Sequence, residues 1–290
     1  MLLQFLANGI AQGSVYAIVA IGFALIYQIT KVFNIAQGAT YTISAYIFFT
    51  IARILNLPVI LGLIIGILAG VLFVILSEKF IFIPLYTKEA SPGISLISSI
   101  GLYIFVVNFI ALIYGNETKI LSPGIERTFT FGGIILTRIQ IFEIIACFLG
   151  IPIILIFLWT SRIGKQIRGV IDNPKLANAL GTDIKNIRII ACIIGGGLIS
   201  IGSCLVALDV GIDPQIGIGA ILNGAVGMII GGINSLSGAA IGGLTLGIIQ
   251  NLVVYQTSAR WQSAITFLIL IIFLVFKPEG IFGSKKRTEG

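Results

Sequence analysis

The sequence predicts an all-α fold, a polytopic transmembrane bundle of about eight to ten helical spans. Three observations predict it. Of 290 residues, 57% are hydrophobic and only 10% charged, and the mean hydropathy is +1.10, far from the balance of a soluble domain. Apolar runs recur at the length of roughly 20 residues that a helix needs to cross a hydrocarbon core of about 30 Å. These runs are continuous rather than alternating, which selects helices over a barrel.

Taken in order, the runs cover residues 5–27, 35–54, 59–76, 94–114 and 139–159, and, after a polar insert at 161–188, residues 189–208, 216–233, 239–255 and 261–276. The first begins MLLQFLANGIAQ and has neither the basic n-region nor the small-residue cleavage site of a signal peptide, so it reads as a retained span. The seventh and eighth are so rich in glycine that a broken or re-entrant form stands beside a continuous one. The whole chain, 1–290, reads as a single transmembrane domain with the insert as its one cytoplasmic elaboration.

Loops with excess Lys and Arg face the cytoplasm. With the insert and the C-terminal tail inside, thirteen of the 18 basic residues fall on that side, including Lys31, Lys79, Lys88, Arg162, Lys165, Arg168, Lys175, Arg188 and the tail residues Lys285, Lys286 and Arg287. The N-terminus is then outside and the C-terminus cytoplasmic. The net charge of +7 faces anionic membrane lipid and implies no nucleic acid. In the long external connection, 115–138, Pro123 with Gly124 and Gly132 with Gly133 mark turns, and RTFTF alternates like a short strand. This connection reads either as a surface for an outside partner or as a solvated loop.

The sequence has no His, and Cys147, Cys192 and Cys204 lie inside apolar runs as small packing residues, which leaves no metal site and no disulfide. Without a base of that kind no catalytic triad assembles, so the chain is not read as an enzyme. The one clear carboxylate within a span is Glu143, near an outer end and within reach of Arg138. An ion-coupled carrier usually needs an ionisable group near the midplane, and none stands out. What concentrates instead are uncharged polar groups: Asn8, Gln12 and Tyr16 in the first span, with Asn34, Gln37, Gly38, Tyr41 and Ser44 at and beyond the start of the second. They read either as the lining of a solute path or as interhelical hydrogen bonds.

Glycines spaced i, i+4 let helix backbones approach closely, as in GLIIGILAG (Gly62, Gly66, Gly70), GMIIG (Gly227, Gly231) and GLTLG (Gly243, Gly247). The cluster Gly227, Gly231, Gly232, Gly238, Gly242, Gly243 and Gly247 makes intrinsically weak helix, suited to a region that moves or exposes backbone. NIAQGA at 34–39 and NSLSGA at 234–239 share three residues at the same offsets, the mark either of an internal pseudo-repeat or of chance.

In the insert, Asn173 is an N-cap, Pro174 opens a helix and Gly181 stops it. A helix of about 10 Å is marginal alone. Leu176, Ala177 and Leu180 share a face that a 28-residue loop cannot bury. Two burial sites are open, the lipid interface, favoured for the part carrying Arg162, Lys165 and Arg168, and a groove on a cytosolic partner, favoured for the capped helix.

The opening NGIAQGSVYAIVAIGFALIYQITKVFNIAQGATYTISAYI, the insert RGVIDNPKLANALGTDIKNIR and the late GMIIGGINSLSGAAIGGLTLGIIQ resemble, in order, the recurring stretches of branched-chain amino acid ABC transporter permeases. The resemblance covers nearly the whole chain. It implies a multi-pass subunit of a prokaryotic cytoplasmic membrane, paired with a homologous second permease, two cytosolic ATPases that bind ATP and Mg, and an external solute-binding protein. It implies no cofactor on this chain. In such importers a Glu-Ala-Ala pattern with a later Gly docks in the ATPase. Lys175, Leu176, Ala177 and Gly181 occupy those positions, so the second Ala and the Gly match while Lys replaces Glu and Leu replaces the first Ala. Residues 161–188 are thereby implied to be the ATPase-coupling loop. The alternatives are a permease for another small solute (urea-like, sugar or nucleoside) or a stand-alone channel or ion-coupled carrier.

Overall fold

The computed structural model describes residues 1–121, 127–277 and 279–283. Among these the helices are α1 (Leu2–Thr30), α2 (Ala36–Phe49), α3 (Val59–Ser77), α4 (Ile83–Thr87), α5 (Pro92–Tyr114), α6 (Arg138–Thr160), α7 (Arg162–Asp172), α8 (Pro174–Ala179), α9 (Ile184–Asp209), α10 (Ile216–Gly231), α11 (Leu236–Gln256) and α12 (Gln262–Phe276). Strands β1 (Thr128–Phe131) and β2 (Ile134–Thr137) stand between α5 and α6. Every predicted apolar run is a helix. Seven helical stretches are long and apolar enough to cross a membrane. The runs at 35–54 and 216–233 form α2, 14 residues continued by the π-turn Thr50–Ile54, and α10, 16 residues. The turns at Pro123 with Gly124 and the basic tail, Lys285 to Arg287, lie outside the described residues.

Two boundaries differ from expectation. The third helix does not stop at residue 76 but passes through the π-turn Glu78–Phe82 into α4, so that Val59–Thr87 is one helical stretch of 29 residues. The insert also contains two helices rather than one, because Ile163, Ile167 and Val170 give α7 an apolar stripe of its own.

The chain divides into two compact units. The first comprises Met1–Ala24, Ile125–Ile151 and Leu222–Gly290. Its core includes Val226, Ile230, Leu246 and Ile269, with Tyr16, Ile265 and Phe273 packed around them. Glycine makes the contacts here. A Cβ on Gly243 would strike the backbone of Ala17, one on Gly247 the backbone of Gly13, and one on Gly242 the Gly227 carbonyl. Gly231 and Gly238 meet backbone to backbone in the same way. The cluster that reads as weak helix is therefore split between two helices, α10 and α11, each unbroken and held by close approach. Gly232, at φ 115°, ends α10, and the last carbonyls of that helix accept hydrogen bonds from the chain's end, Ile281 N–H to Ile230 O at 2.8 Å and Phe282 N–H to Gly231 O at 3.0 Å.

The RTFTF alternation is β1, paired with β2 from Thr128↔Thr137 to Phe131↔Ile134. Gly132 and Gly133, at φ 56° and 86°, supply the two left-handed residues of a two-residue hairpin turn. The Gln4 carboxamide pairs with Ile135 as a backbone peptide would, donating to its carbonyl at 2.7 Å and accepting from its N–H at 2.8 Å.

The second unit comprises Leu25–Gly124 and Pro152–Ile221. Here α2 packs on α3, α5 and α9. Gly66 accepts the Ser44 carbonyl and the Phe48 side chain against its backbone, and Gly70 lies against the hydroxyls of Ser44 and Ser200, which hydrogen-bond to each other at 2.8 Å. Gly62 fits under the Phe48 ring. The predicted small-residue face of α3 is thus the α2 contact.

Adding a methyl where backbones touch forces helices apart, at a typical cost of about 1–3 kcal/mol. Gly70→Val and Gly243→Val are expected to lower the melting temperature of the detergent-solubilised protein by several degrees or to abolish its accumulation in membranes. Gly219→Ala, where an added Cβ meets nothing within 4 Å, is expected to leave both unchanged.

Candidate functional site

In the first unit the polar residues of α1 join a larger network. Gln4 Nε2 donates to Asn8 Oδ1 at 3.0 Å, and Gln12 Nε2 donates to the Tyr16 hydroxyl at 2.7 Å. From α11, Asn251 Nδ2 donates to Gln12 Oε1 at 2.7 Å. Gln250, fully buried on the same helix, donates to Asn223 Oδ1 of α10 at 3.2 Å and accepts from Gln262 Nε2 of α12 at 3.0 Å, with Thr266 beside it. Tyr16 reaches Gln262 as well. Four helices therefore share one set of amides and hydroxyls without a formal charge. Gln12, Tyr16, Asn223, Asn251 and Gln262 are each only half-buried. A polar, half-open surface within a span is costly against lipid, so it calls for water or another protein surface. Asn223, Gln250, Asn251, Gln262 and Thr266 escaped the sequence reading because their spacing aligns with nothing until α1, α10, α11 and α12 are brought together.

The second unit holds the remaining predicted path residues, and there they serve mostly as helix contacts. The Tyr41 hydroxyl reaches the Gly202 carbonyl at 3.4 Å, and its own carbonyl accepts from Ser203. Tyr41 and Ser44 are almost completely buried between α2 and α9. Gly38 lies against Gly217 and the Tyr103 ring. Asn34 stands just before α2, its Oδ1 accepting from Ala36 N–H at 3.0 Å. Gln37 is 2% exposed, and its Oε1 has no hydrogen-bond partner among the described residues. Among the described residues no three His, Cys, Asp or Glu stand together as a metal site would need.

The insert is built by caps. Ser161 Oγ accepts from Gly164 N–H at 2.9 Å to start α7, and Gly164 fits against the Leu158 carbonyl where any side chain would collide. Arg168, expected at lipid headgroups, turns back instead: its guanidinium donates to the carbonyls of Leu158 and Trp159 at 2.6 and 3.2 Å, satisfying the end of α6. Arg162 and Lys165 stay exposed. Asn173 Oδ1 accepts from Leu176 N–H at 3.1 Å, and Pro174 opens α8. At its other end Gly181, at φ 85°, donates to Asn178 O and Thr182 N–H donates to Ala177 O at 3.0 Å, the two bonds of a Schellman stop. Ala177 does not share its neighbours' face: it is 6% exposed, while Leu176 and Leu180 are 57% and 77% exposed. One residue step turns a helix by about 100°, which carries Ala177 against the protein and leaves both leucines outward. Lys175 is exposed beside them.

Glu143 is not the one carboxylate buried in a helix, and Arg188 is not a loop charge. Glu78, in the π-turn after α3, and Arg188, in the second turn of α9, are 1% and 3% exposed. Both Nε and Nη2 of Arg188 reach Glu78 Oε1 at 2.8 Å, and the guanidinium lies 4.6 Å from the centre of the Tyr86 ring. In sequence the two sit at the polar ends of apolar runs, 110 residues apart, and look like solvated flanks. Glu143 is buried too, with Arg138 over the Phe142 ring at 5.6 Å.

Removing one partner of a buried ion pair leaves the other uncompensated, at about 3–5 kcal/mol, whereas replacing both by apolar residues of similar size is often neutral. Arg188→Met and Glu78→Leu are each expected to destabilise the protein strongly in thermal unfolding. The double variant is expected to recover most of the loss.

Residues 5–274 match the family model described as the branched-chain amino acid transport system permease component. The chain is 30% identical over 295 residues to the high-affinity branched-chain amino acid transport system permease protein BraD of Pseudomonas aeruginosa, covering 97% of this chain and 95% of that one. The same values hold for LivH of Escherichia coli K12. Among solved structures, PsaBC from Streptococcus pneumoniae in complex with Fab aligns over 96% of this chain and 94% of that chain with a TM-score of 0.51 at 14% identity, a likeness of fold alone. With polytopic helices, an uncharged polar network inside the spans and a match along nearly its full length, the chain belongs to the family of branched-chain amino acid transport system permease components.

Proposed function

We propose that this chain is one half of the membrane pathway of an ATP-driven importer for branched-chain or related amino acids in a prokaryotic cytoplasmic membrane. The single observation that carries the ATP-driven reading is α8. It is a helix capped at both ends that holds Leu176 and Leu180 out, 57% and 77% exposed, with nothing among the described residues to cover them. Burying a leucine side chain is worth about 1.5–3 kcal/mol, and a rigid pair of leucines suits a groove on a cytosolic ATPase. The solute passes beside the half-open amides of Gln12 and Asn251 and the Tyr16 hydroxyl, which face a homologous second permease. ATP and Mg are held by the two ATPases and not by this chain, and an external binding protein delivers the solute. The insert and C-terminus are cytoplasmic and the N-terminus external, as the positive charges favour.

On this reading α8 carries the motion of the ATPases into α9 and α6. The experiment is co-purification of the permease pair with candidate ATPases, followed by hydrolysis assays in proteoliposomes with amino-acid-loaded binding protein. Leu176→Asp with Leu180→Asp is expected to weaken ATPase capture at least a hundred-fold, while membrane insertion is unchanged. Capture at the unaltered level would sink the coupling role of α8. Gln12→Leu and Asn251→Leu are expected to keep ATPase capture but lower transport at least ten-fold. Stimulation by loaded leucine, isoleucine or valine, and not by urea or a sugar, is the outcome the substrate class requires.

A further inference from the structure

At the end of the second unit that carries the polar insert, Arg188 and Glu78 do more than hold α9 to the α3–α4 stretch. They form one wall of a cavity of about 120 Å³. On a scale where roughly 10–15 Å³ admits one water-sized group, it takes about eight to twelve such groups, the size of a small amino acid. Its polar lining is specific. Both contacts from Arg188 fall on Glu78 Oε1, so Oε2 and Nη1 lie outside the ion pair. Ser95 and Asn34 are 7% and 4% exposed. Both line the cavity, and the Asn34 carboxamide oxygen is already taken by the Ala36 N–H. Lys31 and Tyr86, both exposed, line it as well, and Val32, Phe82 and Pro92 supply an apolar side.

Buried charges of both signs decide the class of ligand. A simple anion would meet the Glu78 carboxylate and a simple cation the Arg188 guanidinium, each at low dielectric, where repulsion is strong. A molecule carrying an ammonium and a carboxylate on one carbon complements both, and an apolar side chain matches the remaining wall. We propose that this cavity is a binding site for a zwitterionic α-amino acid with a small apolar side chain, entered from the insert side and separate from the polar network of the first unit. This rests on the amino-acid reading proposed above. Arg188 stands one turn beyond Ile184, the first residue of α9 after the coupling insert. An occupant would bridge α9, Asn34 before α2 and Ser95 of α5, and so would slow the transporter when imported solute accumulates.

The test uses the complete permease–ATPase complex in nanodiscs without binding protein, with radiolabelled leucine as the probe. Saturable binding is expected, competed by valine but not by isocaproate, isoamylamine or inorganic phosphate, which lack one or both charges of the zwitterion. Ala90→Phe, which fills the cavity without touching the ion pair, is expected to weaken binding at least ten-fold, and Ser95→Ala about three-fold. Stimulation of ATP hydrolysis by loaded binding protein is read in parallel. No leucine binding in a complex that the loaded binding protein stimulates overturns this site and leaves the transport reading standing. Binding indifferent to Ala90→Phe, or displaced equally by phosphate, overturns it as well. If no branched-chain amino acid stimulates hydrolysis, the same competition series with other zwitterionic amino acids, in both variants, decides the cavity on its own.

Discussion

A helix in a bilayer gains little by exchanging lipid for another helix, since both are equally apolar, so association rests on close packing and hydrogen bonds. In this protein that constraint is met where glycine leaves its own side of the contact bare. Gly70 against the Ser44 and Ser200 hydroxyls, and Gly243 against the Ala17 backbone, let long helices touch along their faces. Once α2 is set on α3 and α9, the amides and hydroxyls on those helices have fixed partners. Once α11 is set on α1, Asn251 finds Gln12. The polar sites follow from the glycine contacts.

The fold was largely legible because membrane length is a strong signal. All nine apolar runs became helices, and the cap, proline and glycine signals of α8 were answered by Asn173, Pro174 and Gly181 in their anticipated roles. Local chemistry is readable when the partners lie a few residues apart, as in the hairpin turn at Gly132 and Gly133. The site was less legible because its partners are remote. Nothing near Glu78 announces Arg188, and Gln250 is joined to Asn223 and Thr266 only by the packing of three helices. The stripe Ile163, Ile167 and Val170 is present in the sequence of α7, but the basic residues among them, Lys165 and Arg168, equally suit a lipid interface. For Tyr41 and Ser44, of the two readings open in the sequence, a solute path or interhelical hydrogen bonds, the packing of α2 on α9 uses the second.

The insert is tied to the membrane helices at both ends. Arg168 grips the last carbonyls of α6, and Asp183 caps α9, its Oδ1 accepting from the N–H groups of Lys185 and Asn186 at 2.9 and 3.3 Å. Between these ends, α7 and α8 pack on each other and on α9. α8 is thus joined to α9 through capped segments rather than slack loop, and Arg188 of the buried ion pair stands one turn beyond the start of α9.

That ion pair also constrains how the protein is made. Glu78 precedes Arg188 by 110 residues, so at about 5–20 residues per second the ribosome supplies the arginine roughly 5–20 seconds after the acid. During that interval the stretch Val59–Thr87 has to wait at the membrane with its carboxylate uncompensated. The order of synthesis makes α9, and not the third span, the element that completes the pair.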